Sequence, residues 1–107
     1  FLSGENSILQ NETWWKDAAG RADLKARLSS NGLFGVVFGH QNKALGAEGR
    51  NGISSDYRLI KIDNGMSPEG GYYPGSLLIF PRPAELLRAS RPNVQTLTGG
   101  TLKPLTP

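Results

Sequence analysis

The fold class is decided by the stretch Tyr57–Ile62, YRLIKI, and by the dipeptide Asn64-Gly65 that follows it. The β-branched and aromatic residues favour a strand, and Asn-Gly is a typical tight-turn sequence. A tight turn joins antiparallel strands, and the short connections around this stretch leave no room for a crossover helix. We therefore predict an antiparallel sheet rather than a doubly wound parallel one.

Two more strand candidates lie outward from this stretch, at Leu33–Phe38 and at Ser76–Phe80. Pro81 and Pro83 follow the second of them, and proline places a strand at a sheet edge or ends it. We expect a small sheet of three or four strands.

The N-terminal part of the chain predicts a helix that packs on this sheet. The run from Trp14 to Leu28 is rich in alanine and straight-chain residues, which favour helix. Thr13 and Asn11 are candidate N-caps, and Asn31-Gly32 is a typical helix stop. The predicted fold class is therefore α+β.

The chain has 107 residues, which is enough for one hydrophobic core and too few for a two-domain enzyme. We predict one small globular domain at 1–89 and an extended tail at 90–107. The tail is polar and contains Pro92, Pro104 and the pair Gly99-Gly100. Such a composition is typical of a segment that becomes ordered only where something holds it.

Composition excludes several classes of site. The sequence has no cysteine and one histidine, which argues against a disulfide framework and against a zinc site with its usual set of ligands. The formal charge of +3 arises in the last third, where Arg82, Arg88, Arg91 and Lys103 outnumber Glu85. This density is low for a nucleic-acid-binding surface. We expect no metal, no cofactor and no membrane span, and we do not favour a nucleic-acid partner.

Adjacent aromatic residues point to protein–protein contact. Trp14-Trp15 begins the helix and Tyr72-Tyr73 lies in a loop rich in glycine and proline. Neighbouring side chains point in different directions, so each pair is expected to leave one ring exposed. Exposed tryptophan and tyrosine are favoured interface anchors. The predicted partner-binding residues are Trp14, Tyr72, Tyr73, Arg82, Arg88 and Arg91.

The predicted function is a non-catalytic structural or interaction subunit that docks on a partner chain or assembles with itself. Pilin head domains, which belong to pilus-like surface filaments, combine a helix with a small antiparallel sheet. This is an analogy of architecture alone. It leads us to expect a secreted protein with an extracellular or cell-surface location.

Two alternatives stay open. One is a small secreted or toxin-like nuclease that needs no metal and uses His40 with Glu48 and nearby basic residues such as Arg50, a set that contains a base, an acid and a cation. These residues lie in the polar loop His40–Ser55, and loops longer than about 12–15 residues are usually functional or disordered. The other alternative is a nucleic-acid-binding module that uses the glycine-rich segment Gly46–Gly52 and the basic tail.

Overall fold

The computed structural model describes residues 13–82 and 93–107. They form a small α+β protein with one main helix and two three-stranded sheets, so the predicted fold class is confirmed. The chain divides into two compact units, residues 1–33 and residues 34–107. No helix within the described ranges is long and apolar enough to cross a bilayer.

The first unit contains the predicted helix, interrupted once. Helix α1 spans Thr13–Lys16 and helix α2 spans Ala18–Ser30. Asp17 between them has extended backbone, and Arg21 Nη1 donates to two carbonyls of α1 at 3.0 and 3.1 Å. The predicted stop is confirmed, because Asn31 is the C-cap of α2 and Gly32 has a left-handed φ of 66°. The packing of this helix on a sheet stays a prediction.

The first sheet contains β1 (Val36–Phe38), β2 (Gly52–Ile53) and β3 (Leu59–Lys61) in the order β1-β3-β2. Strand β3 pairs antiparallel with β2 and parallel with β1. The prediction of an entirely antiparallel sheet is therefore wrong for β1 and β3. Their connection is long enough to cross over with only a short 3₁₀ helix, Ala44–Gly46, and it also contains β2.

The second sheet contains β4 (Ser76–Ile79), β5 (Gln95–Thr98) and β6 (Thr101–Pro104), all antiparallel. Strands β5 and β6 form a hairpin within the segment that we predicted as an extended tail. Gly99 and Gly100 make its turn with φ values of 56° and 82°, both positive as a type I′ turn requires. The predicted domain boundary at 89/90 lies outside the described residues.

A small apolar core joins the two sheets of the second unit. Ile53 and Ile60 come from the first sheet, and Leu78 of the second sheet packs against them. Val94 and Leu105 flank the β5–β6 hairpin, are buried in the same cluster, and share a backbone hydrogen bond of 2.8 Å. The C-terminal segment therefore belongs to the core.

Candidate functional site

The second sheet has a reversed distribution of polar and apolar side chains. The register and the alternation of the strands place six side chains on each face. The face toward the core carries Ser76, Leu78, Thr96, Thr98, Thr101 and Lys103. The outward face carries Leu77, Ile79, Gln95, Leu97, Leu102 and Pro104. The solvated face of a sheet is normally polar, whereas the outward face here is mostly apolar. The outward face is therefore a candidate binding surface.

The residues Leu77, Ile79, Leu97 and Leu102 are called the apolar face below. Leu77 is the cross-strand partner of Leu97, and Leu97 is that of Leu102, so three leucines lie in one row across the sheet. Leu77 is 62% exposed and Leu102 is 53% exposed. No charged residue occupies this side of the three strands. A contiguous exposed apolar surface is typical of an interaction site.

Buried asparagines connect the two sheets behind this face. Asn51 Nδ2 donates to Thr96 Oγ1 at 3.0 Å, and Asn51 Oδ1 accepts from Asn64 Nδ2 at 3.0 Å. Asn51, Asn64 and Thr96 are all buried. Because buried polar groups are costly without partners, these bonds fix the start of β2 against β5.

A cleft of about 190 Å³ opens beside this network. It is called the hydroxyl cleft here, and its described lining contains two cationic residues, three threonines and no Asp or Glu. The lining residues are Arg50, Asn51, Thr96, Thr98, Lys103, Pro104, Leu105 and Thr106. The cleft thus brings together the segment Gly46–Gly52 and the basic C-terminal segment, the two features of the nucleic-acid-binding alternative.

Lys61 of β3 is completely buried. Its Nζ donates to the backbone carbonyls of Asn42 at 2.6 Å and Asp63 at 2.8 Å, and also to that of Ala47. Burial lowers the pKa of the Lys61 ammonium, and the Asp63 carboxylate acts in the opposite direction. An ammonium has three donors, and all of them are engaged here. Lys61 therefore holds the loop in place and is not a free acid or base.

Two of the three predicted catalytic residues lie near Lys61. The charge of Arg50 lowers the pKa of Lys61 and that of Glu48 raises it. His40 is exposed, two residues beyond β1, and has a left-handed φ of 67°. Within the described ranges, no hydrogen bond or ion pair joins His40 to Glu48 or Arg50, and no group of three or more His, Cys, Asp or Glu side chains is arranged to hold a metal ion.

The two predicted tyrosines differ in exposure. Tyr72 is 75% exposed and has a left-handed φ of 59°, whereas Tyr73 is 38% exposed. The ring of Tyr73 lies over Gly49, where an added Cβ would be 2.5 Å from Tyr73 Cδ1. Tyr73 is therefore a packing residue for the loop, and Tyr72 is the ring that is free to meet a partner.

The other predicted partner-binding residues differ in exposure. Trp14 and Trp15 are both half-buried, so this pair does not divide into one buried and one exposed ring. Arg82 is exposed. Arg88 and Arg91 lie outside the described residues.

Sequence reasoning missed both the apolar face and the hydroxyl cleft, because both depend on the β5–β6 hairpin. The signal was present in the stretch QTLT-GG-TLKP, 95–104. Two glycines between alternating runs are a typical two-residue hairpin sequence. The proline content and the polarity around it favoured the interpretation as a tail.

The chain matches no protein-family model, no curated protein and no solved structure. Its function is therefore inferred from its own residues and their geometry.

Proposed function

We propose that this chain is an interaction subunit that docks through the apolar face onto an uncharged apolar surface of a partner protein. The reversed polarity of the second sheet carries this proposal. Three leucines lie in one row on the outward side, and the threonines and Lys103 lie on the inward side. Full burial of a leucine is worth about 1.5–3 kcal/mol relative to exposure, so covering the row favours association.

The chemistry of the face defines the chemistry of its partner. The outward positions that flank the leucines hold Gln95 and Pro104, and none of the six outward residues is charged. A charged partner surface would lose its water here without gaining an ion pair, which is unfavourable. The matching surface is therefore apolar and uncharged at its centre.

The subunit of an extracellular, pilus-like filament is one form of this proposal, in which the partner is a second copy of the chain. The predicted anchors Trp14, Tyr72, Tyr73 and Arg82 are further contacts in the same proposal. Tyr72 is the strongest of them, because this residue is 75% exposed.

Size measurement in native extracts tests the proposal. The double variant Leu77→Glu/Leu102→Glu places two charges on the apolar face at exposed positions that the fold tolerates. The matched control Leu33→Glu/Met66→Glu changes two equally exposed apolar residues elsewhere, which are 57% and 65% exposed. We expect the wild-type chain and the control to elute in the same larger particle, and the double variant to elute as the isolated chain.

Two results would overturn the proposal. The wild-type chain could elute as an isolated chain in native extracts, or the double variant could remain in the larger particle. Circular dichroism of the purified variants confirms that a changed elution reflects lost docking rather than unfolding.

A second candidate function is nuclease activity at His40. The observation that favours it is the left-handed backbone of His40, an exposed residue just beyond β1. Non-glycine residues with this conformation are uncommon, and strained residues cluster at functional sites.

Hydrolysis of a fluorescent RNA in the presence of EDTA tests this candidate. We expect cleavage by the wild type and loss of cleavage in His40→Ala, because no other imidazole is present in the sequence. The matched control Lys25→Gln changes an exposed residue of α2 and should cleave like the wild type. Absence of cleavage by the wild type, or undiminished cleavage by His40→Ala, would exclude this role.

A further inference from the structure

We propose that the hydroxyl cleft binds a phosphate-type oxyanion, either inorganic phosphate or the phosphate group of a small phosphomonoester. The cleft lies on the opposite side of the second sheet from the apolar face. The inference is therefore independent of the docking proposal.

The register of the second sheet aims three polar side chains at the cleft. Thr96 is the cross-strand partner of Lys103, and alternation along β5 places Thr98 on the same face as Thr96. Arg50 reaches the cleft from the segment just before β2. Polar side chains thus converge on one space from the second sheet and from this segment, and the Thr98 hydroxyl also shares a hydrogen bond of 2.6 Å with that of Ser76.

Buried hydrogen bonds hold this arrangement before any ligand arrives. Asn51, 3% exposed, donates to Thr96 Oγ1 at 3.0 Å, so the segment that carries Arg50 is fixed to β5. The Thr96 hydroxyl accepts that bond and keeps its own hydrogen for donation. A site whose donors are fixed in advance loses less entropy on binding.

The lining of the cleft is positively charged. Among the described residues it holds Arg50 and Lys103 and no Asp or Glu. Within the described part of the chain, Lys103 makes no ion pair, and the Arg50 guanidinium donates a long hydrogen bond to the Gly46 carbonyl at 3.4 Å. The charge of Arg50 also disfavours the protonated form of nearby Lys61. An anion in the cleft would offset this repulsion.

The number of donors and the size of the cleft select the ligand class. Arginine offers five N–H donors and lysine three, which suits the several oxygens of a phosphate better than the two of a carboxylate. The volume of about 190 Å³ is below the roughly 300–1,000 Å³ of sites for larger ligands. Two cations are also few compared with a DNA-binding protein that makes about 6–10 phosphate contacts. The cleft therefore suits a small phosphate ligand better than a nucleic-acid backbone.

Titration with inorganic phosphate at constant ionic strength, followed by amide NMR, tests the inference. We expect saturable shifts at residues 50–51, 96–98 and 103–106. The double variant Arg50→Gln/Lys103→Gln should weaken binding by about tenfold or more, because charge-assisted hydrogen bonds are lost. The matched control Lys25→Gln, an exposed cation on α2, should bind like the wild type.

A parallel titration with glycerol 3-phosphate distinguishes the two sources of the phosphate group. Tighter binding of the ester identifies a phosphomonoester as the ligand, and tighter binding of the free ion identifies inorganic phosphate. Shifts that do not saturate, or equal affinity in Arg50→Gln/Lys103→Gln and wild type, would overturn the inference. Preserved dispersion of the amide spectrum shows that the variants are folded.

Discussion

Asn51 Nδ2 lies 3.0 Å from Thr96 Oγ1, and this hydrogen bond ties the start of β2 to strand β5. Both residues are buried, at 3% and 5% exposure. Thr96 lines the hydroxyl cleft, and its neighbour Leu97 lies in the leucine row on the other side of the sheet. One buried bond therefore supports both proposed binding surfaces.

The first prediction concerns this bond. Asn51→Ala removes the donor to Thr96 and one of the two acceptors of the Asn64 amide, and we expect a loss of about 1–3 kcal/mol in the free energy of unfolding because buried hydrogen bonds are lost. Urea denaturation measures the loss. The control Asn93→Ala changes an exposed asparagine next to the core residue Val94 and should stay within about 0.5 kcal/mol of wild type. Equal losses in the two variants would show that the network is not stabilising.

The second prediction separates backbone strain from steric clash in the loop. Gly49 and Gly46 both have left-handed backbone, with φ values of 75° and 65°. An added Cβ at Gly49 would meet the ring of Tyr73 at 2.5 Å, whereas at Gly46 it would meet nothing within 4 Å. Gly46→Ala therefore adds only the left-handed cost of about 1–2 kcal/mol.

Gly49→Ala carries the same backbone cost and must also displace Tyr73, which adds about 1–3 kcal/mol for overpacking. Thermal or urea unfolding of the two variants gives the difference directly. Equal destabilisation would mean that Tyr73 does not pack on the loop in the folded protein.

The third prediction concerns pH. Burial lowers the pKa of Lys61 below its ordinary 10.5 in the folded state. The folded protein then binds fewer protons than the unfolded chain between that lowered pKa and 10.5. The contribution of Lys61 to stability therefore rises with pH across this window and is constant below it.

Lysine side-chain NMR measures the pKa of Lys61, and urea unfolding measures the stability trend. Lys61→Met should remove the alkaline rise. It should also lower the free energy of unfolding at neutral pH by about 1–3 kcal/mol or more, because three carbonyls lose their donor. A Lys61 that titrates at or above 10.5 would contradict the burial seen here.

The sequence predicts the elements whose signals are local. Helix α2 ends at Asn31 as its capping pattern indicates, and strands β1, β3 and β4 fall within the apolar runs proposed for them. The parallel pairing of β1 with β3 was missed because it is a long-range contact that no local pattern encodes.

The candidate surfaces were harder to predict for a physical reason. The alternation of residues in β5 and β6 shows that each strand has two faces, but it does not show which face turns to the core. The usual pattern, with apolar residues inside and polar residues in solvent, would have placed Leu97 inside and Thr96 outside. Lys61 raises the same difficulty, because a lysine within a strand is almost always solvated unless a partner is available. Its three partners are loop carbonyls that only the folded chain brings together.

Site-specific photo-cross-linking tests, at single residues, our claim that an apolar partner surface covers the apolar face. A benzophenone side chain replaces Leu102 on the apolar face or, as the matched control, Thr101, its exposed neighbour on the opposite face. We predict one discrete cross-linked product from position 102 in native cells, its loss in Leu77→Glu, and no such product from position 101. A product of equal yield from both positions, or none from position 102, would contradict the claim.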